Sequence, residues 1–310
     1  MNKNIFILFF IFYSGANAQS VIPLSGFQNV LPLYNPAAAG LNEGPELALL
    51  YKTLWNGISG APKTYAFTIN TPFNYNRFGI GLNVSKESAG IQSVLSASGL
   101  FSYKINLANG RLSFGTKLGM VQWSQDFSNL TIKDESESLT GNKKTLLDLG
   151  AGLLYKDKKY TLGFSMNYSP GIYLGYKNTN KIYYNVSGET KLKINSAFIL
   201  YPALLIRYTE KFSPIINISL PLEYNNFLWM GLSYRSSTVL SFMAGINLHK
   251  LMQNGYDRIT VFYYFDYSAG RTTLKPGNTN EIMLCFNPVK NKSIETIKRK
   301  RATMSPLFFD

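Results

Sequence analysis

Few residues in this chain could do chemistry, and their spacing is poor for catalysis. His249 is the one histidine and Cys285 the one cysteine among 310 residues. No cluster of His and Cys ligands can therefore hold a transition metal, and no intrachain disulfide can form. A Ser-His hydrolase would have to use His249. That imidazole shares the polar face of an extended segment with Ser241, Gly245 and Asn247, and no Gly-x-Ser-x-Gly elbow accompanies it. A barrel phospholipase would also place its serine on the outer, lipid-facing surface. His249 is accordingly read as an ordinary lumen or rim residue. Arg77, Lys117, Asp148, Glu223, Arg235, Arg258, Asp266 and Glu281 fall on polar faces, and mixed signs inside a barrel mean cross-lumen ion pairs or a wet channel. There is no nucleotide-binding glycine loop and no pair of catalytic carboxylates. An enzyme is not expected, nor is a cofactor or a metal.

The elements that would position these residues are extended. In Lys159–Ser169, Tyr160, Leu162, Phe164, Met166 and Tyr168 fall on one face of a strand, and Thr161, Gly163, Ser165, Asn167 and Ser169 on the other. The same alternation recurs along most of the chain with no sustained helical period. A soluble sheet would need a second layer to cover its apolar side. A sheet closed on itself, with lipid outside and a polar lumen inside, needs none. The expected fold is therefore all-β, a single transmembrane antiparallel barrel of about fourteen strands with a short N-terminal plug-like segment.

Composition agrees. Charged residues are 15% of the chain and aromatic residues another 15%, with 21 Tyr and 21 Phe, against about a quarter charged in soluble proteins. Beyond the N-terminus no run approaches the roughly twenty apolar residues that a spanning helix needs. Lys3, the apolar run Ile5–Tyr13 and Ala16 and Ala18 before Gln19 read as a signal peptide over residues 1–18. No cysteine lies near that site for lipidation. The formal charge of +14 suits loops facing anionic headgroups and part of the lumen. No recognised nucleic-acid motif accompanies it, so nucleic acid is not an expected partner.

Residues 19–45 carry Pro23, Pro32, Pro36 and Pro45 and do not alternate, which excludes a regular central strand. This segment belongs in the barrel mouth, inside the lumen, or against a periplasmic partner. Within it, Tyr34, Asn35 and Pro36 begin a turn-forming YNPAAAG run whose small residues permit close approach of other chain. Residues 46–288 supply the strands, among them Glu46–Thr53, Lys63–Phe73, Arg77–Ser85, Ile182–Ile194 and Ala197–Thr209. Alternate links are mostly short, as at Asn74–Asn76, Asp157–Lys158 and Asn225–Asn226. The three longest, Asp126–Lys144, Pro170–Lys181 and Ala269–Thr279, fall in the other set. In an outer-membrane barrel the short side is periplasmic. Gly79, Gly81, Gly115, Gly119, Gly150 and Gly152 fall on inward faces and read as room in the lumen or places where strands bend. Residues 289–310 form a basic tail, read as solvated or as docking to an acidic partner.

Five stretches together resemble one family. They are Tyr34–Gly40 (YNPAAAG), Leu54–Thr64 (LWNGISGAPKT), Gly79–Val84 (GIGLNV), Leu228–Arg235 (LWMGLSYR) and Asn280–Phe286 (NEIMLCF). They are similar to the PorP/SprF outer-membrane proteins of the Bacteroidota type IX secretion and gliding machinery, and they occur in the family's order. The family often has His where this chain has Asn280, so no imidazole role carries over, whereas Glu281 fits. The resemblance implies a non-enzymatic outer-membrane barrel that helps secrete or anchor a cargo bearing a C-terminal sorting domain, such as an adhesin. It also implies periplasmic and motor components as partners. The alternative is a transporter of hydrophobic small molecules resembling the fatty acid channels, which share the Asn-Pro-Ala motif at Asn35-Pro36-Ala37, or else a general porin.

Partner-contact candidates follow. Trp55, Asn56 and Gly57 lie in the first external link, where Trp55 either meets a partner or joins the aromatic girdle. Tyr34, Asn35 and Pro36 either meet a periplasmic partner or pack in the lumen. Arg235 and Glu281, on polar faces of different strands, are expected to form an internal ion pair.

Overall fold

The computed structural model describes residues 24–127, 143–171, 179–210, 212–236, 238–248, 257–268 and 278–288. The expected signal peptide over residues 1–18, most of the three longest links, His249 and the basic tail lie outside them, as does the side chain of Arg258.

Among the described residues sixteen strands form one sheet. In chain order they are β1 (Glu46–Thr53), β2 (Lys63–Phe73), β3 (Phe78–Ala89), β4 (Gln92–Asn106), β5 (Gly110–Gln125), β6 (Lys143–Asp157), β7 (Tyr160–Gly171) and β8 (Thr179–Thr190). Then come β9 (Leu192–Lys193), β10 (Phe198–Leu200), β11 (Ala203–Thr209), β12 (Ile215–Tyr224), β13 (Leu228–Arg235), β14 (Val239–Asn247), β15 (Asp257–Ser268) and β16 (Thr279–Pro288). Fourteen of them close a ring of antiparallel pairs. The first and last strands meet with Leu47 opposite Phe286 and Lys52 opposite Glu281, and β11 joins β12 with Ala203 opposite Ser219. The fourteen-strand ring thereby has no open edge, which removes the unpaired backbone that lipid cannot satisfy.

The remaining two strands, β9 and β10, are a small hairpin extending the edge of β12. The sequence suggests unbroken strands at Ile182–Ile194 and Ala197–Thr209. Each instead splits, and Pro202 and Pro221 mark the break in the second. Both lack an N–H for the ladder, and β12 pairs with β10 on one side of Pro221 and with β11 on the other. Arg77 likewise belongs to the turn before β3 and is exposed, not part of a lumenal face.

The two faces separate as alternation requires. On β7, Tyr160, Leu162, Phe164 and Met166 are 42–53% exposed, while Gly163, Ser165 and Asn167 are buried. No described residue covers the outer set, so acyl chains must. Short turns gather at one rim, which is also where β1 begins and β16 ends, since Glu46 faces Asn70 and Leu47 faces Phe286. At the Asn225-Asn226 turn both residues have positive φ, 49° and 55°, and Phe227 donates to the Tyr224 carbonyl at 3.0 Å. That is the backbone a two-residue hairpin needs, and asparagine tolerates it better than most residues.

Candidate functional site

The inside of the ring is filled. Residues 24–41 run into the lumen as two short 3-10 turns, Phe27–Leu33 and Pro36–Ala38. Leu24, Phe27, Val30, Tyr34, Asn35 and Ala37–Ala39 are all 5% exposed or less. Tyr34, Asn35 and Pro36 thus pack in the lumen. Asn35 caps the second turn, accepting from the Ala37 N–H at 2.9 Å, and its amide donates to the wall carbonyls of Leu153 (3.0 Å) and Phe164 (3.3 Å).

The wall is shaped to receive this plug. A methyl group on Gly115 would overlap the backbone of Pro36 and Ala37, one on Gly79 the carbonyl of Ala39, and one on Gly152 the side-chain oxygen of Asn35. The room left by these inward glycines is occupied by the YNPAAAG run, small residue against glycine. Around it, wall side chains donate to plug carbonyls. Ser113 reaches Ala37, Ser102 reaches Ala39 and Ser165 reaches Tyr34, each at 2.7 Å. Asn167 also reaches Tyr34 (2.9 Å) and Asn83 reaches Pro32 (2.9 Å), while Lys104 takes the Gly40 carbonyl. Each bond satisfies a backbone acceptor that would otherwise be stranded in a dry interior. Arg207 lies over the Tyr34 ring, 4.8 Å from its centroid, a cation–π contact.

The other end of the plug is held by charge. Lys52 sits 3.1 Å from both Asp266 and Glu281, and Arg235 lies 3.9 Å from Asp266. These four buried side chains form an electrically neutral quartet centred on Ser25. The Glu281 carboxylate accepts from the N–H groups of Ser25 and Gly26, both at 3.0 Å. The Ser25 hydroxyl donates to Asp266 (2.7 Å) and accepts from Arg235 (3.0 Å). Arg235 and Glu281 therefore meet through Ser25 and Asp266, not as the direct pair expected of them. Their immediate counter-charges are Asp266 and Lys52. A second pair, Lys117–Asp148 at 2.7 Å, spans neighbouring strands.

The lumen is also less polar than alternation suggests. Phe27, Leu24 and Val30 pack with Leu50, Leu205, Phe262, Tyr264, Met283 and Cys285 in one apolar cluster. Cys285 is buried there. Lys52 escaped the sequence reading although the signal was present: on β1 it shares its face with Ala48 and Leu50, opposite Leu47, Leu49 and Tyr51. Ser25 carried no such signal.

Trp55, Asn56 and Gly57 are exposed at the opposite rim from the short turns, with Trp55 40% exposed. Trp55 and Gly57 have positive φ, 52° and 93°, and the Asn56 N–H donates to the Asn278 carbonyl at 3.1 Å. They follow Lys52 by only three to five residues, yet they are not among the quartet's ion-pair partners. Among the described residues no group of three His, Cys, Asp or Glu side chains could hold a metal ion, and no helix is long and apolar enough to cross a membrane.

Between the plug and the short-turn rim lies a cavity of about 350 Å³. The profile of the type IX secretion system membrane protein PorP/SprF family matches residues 16–286. The chain belongs to this family. Its place in the outer membrane follows from PorP/SprF membership together with the lipid-facing barrel. Solved barrels are similar in fold. The CymD monoaromatic hydrocarbon channel superposes with a TM-score of 0.51 at 13% identity, covering 82% of this chain and 90% of that one. The Pseudomonas putida toluene transporter TodX gives 0.46 at 12% over 83% and 92%, and Acinetobacter baumannii Omp33 gives 0.47 at 7% over 80% and 99%. No curated protein matches the sequence. As a PorP/SprF protein the chain is a type IX secretion membrane component, and interaction with other components of that system follows from membership.

Proposed function

We propose that this PorP/SprF barrel is a non-enzymatic holder that secretes or anchors one cargo protein at the cell surface. The cargo carries a C-terminal sorting domain, and the barrel links it to periplasmic and motor components of the type IX system. The family match over residues 16–286 carries this reading. The plug supports it. A lumen filled by a segment tied to the wall at Ala37, Ala39, Tyr34 and Ser25 suits a docking platform better than a solute conduit. Trp55, Asn56 and Gly57, exposed at the outer rim, are the contact candidates for cargo. Deleting the gene should abolish surface display of one cargo and leave the rest of the secretome largely intact. Normal display of every cargo in the deletion strain would refute the reading.

A second reading is transport of hydrophobic small molecules. The apolar cluster around Phe27 and Phe262 favours it, as does the Asn-Pro-Ala run. Purified protein in liposomes would then accelerate fatty acid uptake, which the holder reading does not require.

A further inference from the structure

The β9–β10 hairpin belongs to the sheet but not to the closed ring, and it continues past the short-turn rim. Lys191 donates to the Lys159 carbonyl at 2.9 Å, a last rung below the β7–β8 ladder. Beyond that rung β9 has β10 on one side and, among the described residues, no strand on the other. Lys193 stands opposite Ile199, and the next N–H, that of Ile194, donates to the Phe198 carbonyl at 3.0 Å. Antiparallel ladders alternate, so the Lys193 N–H and carbonyl point away from β10, to the open edge. Such an edge is a template for another strand. Its two faces differ in chemistry. Leu192 and Ile194 stand on one, 47% and 61% exposed. Lys191 and Lys193 stand on the other, exposed, with Lys158 and Lys159 exposed beside them. Two acids lie near, and both are occupied. The Asp157 carboxylate accepts from the N–H groups of Lys159 and Tyr160, each at 2.6 Å, and Glu189 lines the lumenal cavity together with Lys156. The exposed lysines mark where the lipid ends, and Ile194 lies about 10 Å of strand beyond the Lys159 rung. Its side chain is therefore apolar surface in water, of the kind that an interface covers.

We propose that the open edge of β9 seats an extended acidic segment of a periplasmic protein, added to the sheet as a further strand. The period of the edge sets the period of the guest: acidic side chains fall beside Lys191 and Lys193, and apolar ones beside Leu192 and Ile194. A second copy of this chain is a poor guest, because its own β9 would bring lysine against lysine. A membrane surface could take the lysines and Leu192, but it offers nothing to the Lys193 N–H and carbonyl, which a strand pairs. The proposal rests on the holder reading in one respect, that the partner comes from the periplasm.

The probe is a dye-labelled octapeptide of alternating valine and glutamate, titrated by fluorescence anisotropy onto the full-length barrel in nanodiscs. It should bind, and its valine–lysine counterpart should not. Lys193→Glu should weaken binding by about tenfold or more, and raising the ionic strength should weaken it as well, since these charges are exposed. Methylating the amide nitrogens of the valines in one peptide and of the glutamates in another separates strand addition from charge attraction, because one alternate set faces β9. One methylated peptide should lose binding and the other keep it. Equal affinities for the glutamate and lysine peptides, or equal effects of the two methylated sets, would overturn the proposal. A nitroxide on Ile194→Cys, in a Cys285→Ser background, decides the membrane alternative. A water-soluble relaxant should reach the label more readily than oxygen does, and the valine–glutamate peptide should shield it. A label immersed in lipid would overturn the proposal too. Neither readout depends on cargo display, so the edge and the holder reading can each fail without the other.

Discussion

Gly115→Val asks whether the plug sits where its contacts put it. The added Cβ would overlap the backbone of Pro36 and Ala37, and backbone cannot swing aside as a flexible side chain can. If plug and wall both stay, overpacking costs about 1–3 kcal/mol. If the plug lifts, it forfeits the Ser113 bond to Ala37 and the Asn35 bond to Leu153, about 1 kcal/mol each. Either route weakens seating by about 1–3 kcal/mol, a shift of roughly 5- to 140-fold in the ratio of seated to lifted plug.

Single-channel recording in planar bilayers reads that ratio, because a lifted plug leaves a conducting lumen. Gly99→Val is the matched control. Gly99 lies on the outer face and a Cβ there meets nothing nearer than the Leu118 carbonyl at 3.9 Å. Open probability should rise roughly 5- to 140-fold for Gly115→Val and stay at the parent level for Gly99→Val. Equal open probabilities in two variants that both fold would refute the seating of Ala37 against β5.

Other expectations follow from the same contacts. Asn35→Ala removes two donations and one cap, so it should loosen the plug by about 2–3 kcal/mol, read as faster protease cleavage within residues 24–45. Lys52→Met leaves Asp266 and Glu281 buried beside a single remaining cation and should destabilise the barrel by about 3–5 kcal/mol. Adding Glu281→Gln should recover part of that loss in urea titrations, and an additive double variant would contradict the quartet. Trp55→Ala should leave the unfolding midpoint unchanged, since the indole is 40% exposed. It should lower cargo display if the outer rim is the contact surface, and full display would make Trp55 a girdle residue.

The barrel was legible because its outer face repeats a decision made one residue at a time. Lipid selects Leu162, Phe164 and Met166 independently, and a period of two survives even where boundaries slip. What broke the strand at 201 was local chemistry that alternation does not weigh. Pro202 still sits in an apolar run, so the segment reads as one strand until the missing N–H is counted against a specific neighbour, here Pro221 on β12. The polar lumen was over-read for a related reason. Inward positions are selected by whatever fills the ring, and where Phe27 and Leu24 fill it, Phe262, Met283 and Leu205 are as good a lining as serine.

The plug seat was half visible, and the missing half has a physical cause. Inward glycines and a run of alanines were each noted, but nothing in one dimension says that they face one another. The bonds that join them are donated by Ser102, Ser113, Ser165 and Asn167 to backbone carbonyls, and a carbonyl is the same on every residue. Such a wall recognises the path of a chain and not its side chains, so the plug's half of the contact leaves little trace beyond the need to be small. The charged end differs because both partners carry type. Arg235 and Glu281 could be singled out from their faces alone, and they failed as a pair only because Lys52 and Asp266 stand between them. The path-reading seat should therefore tolerate Val30→Ile far better than Ala37→Val, although both residues are almost fully buried. Val30 ends in an apolar cluster that can repack, while Ala37 is set against the β5 backbone at Gly115, which cannot.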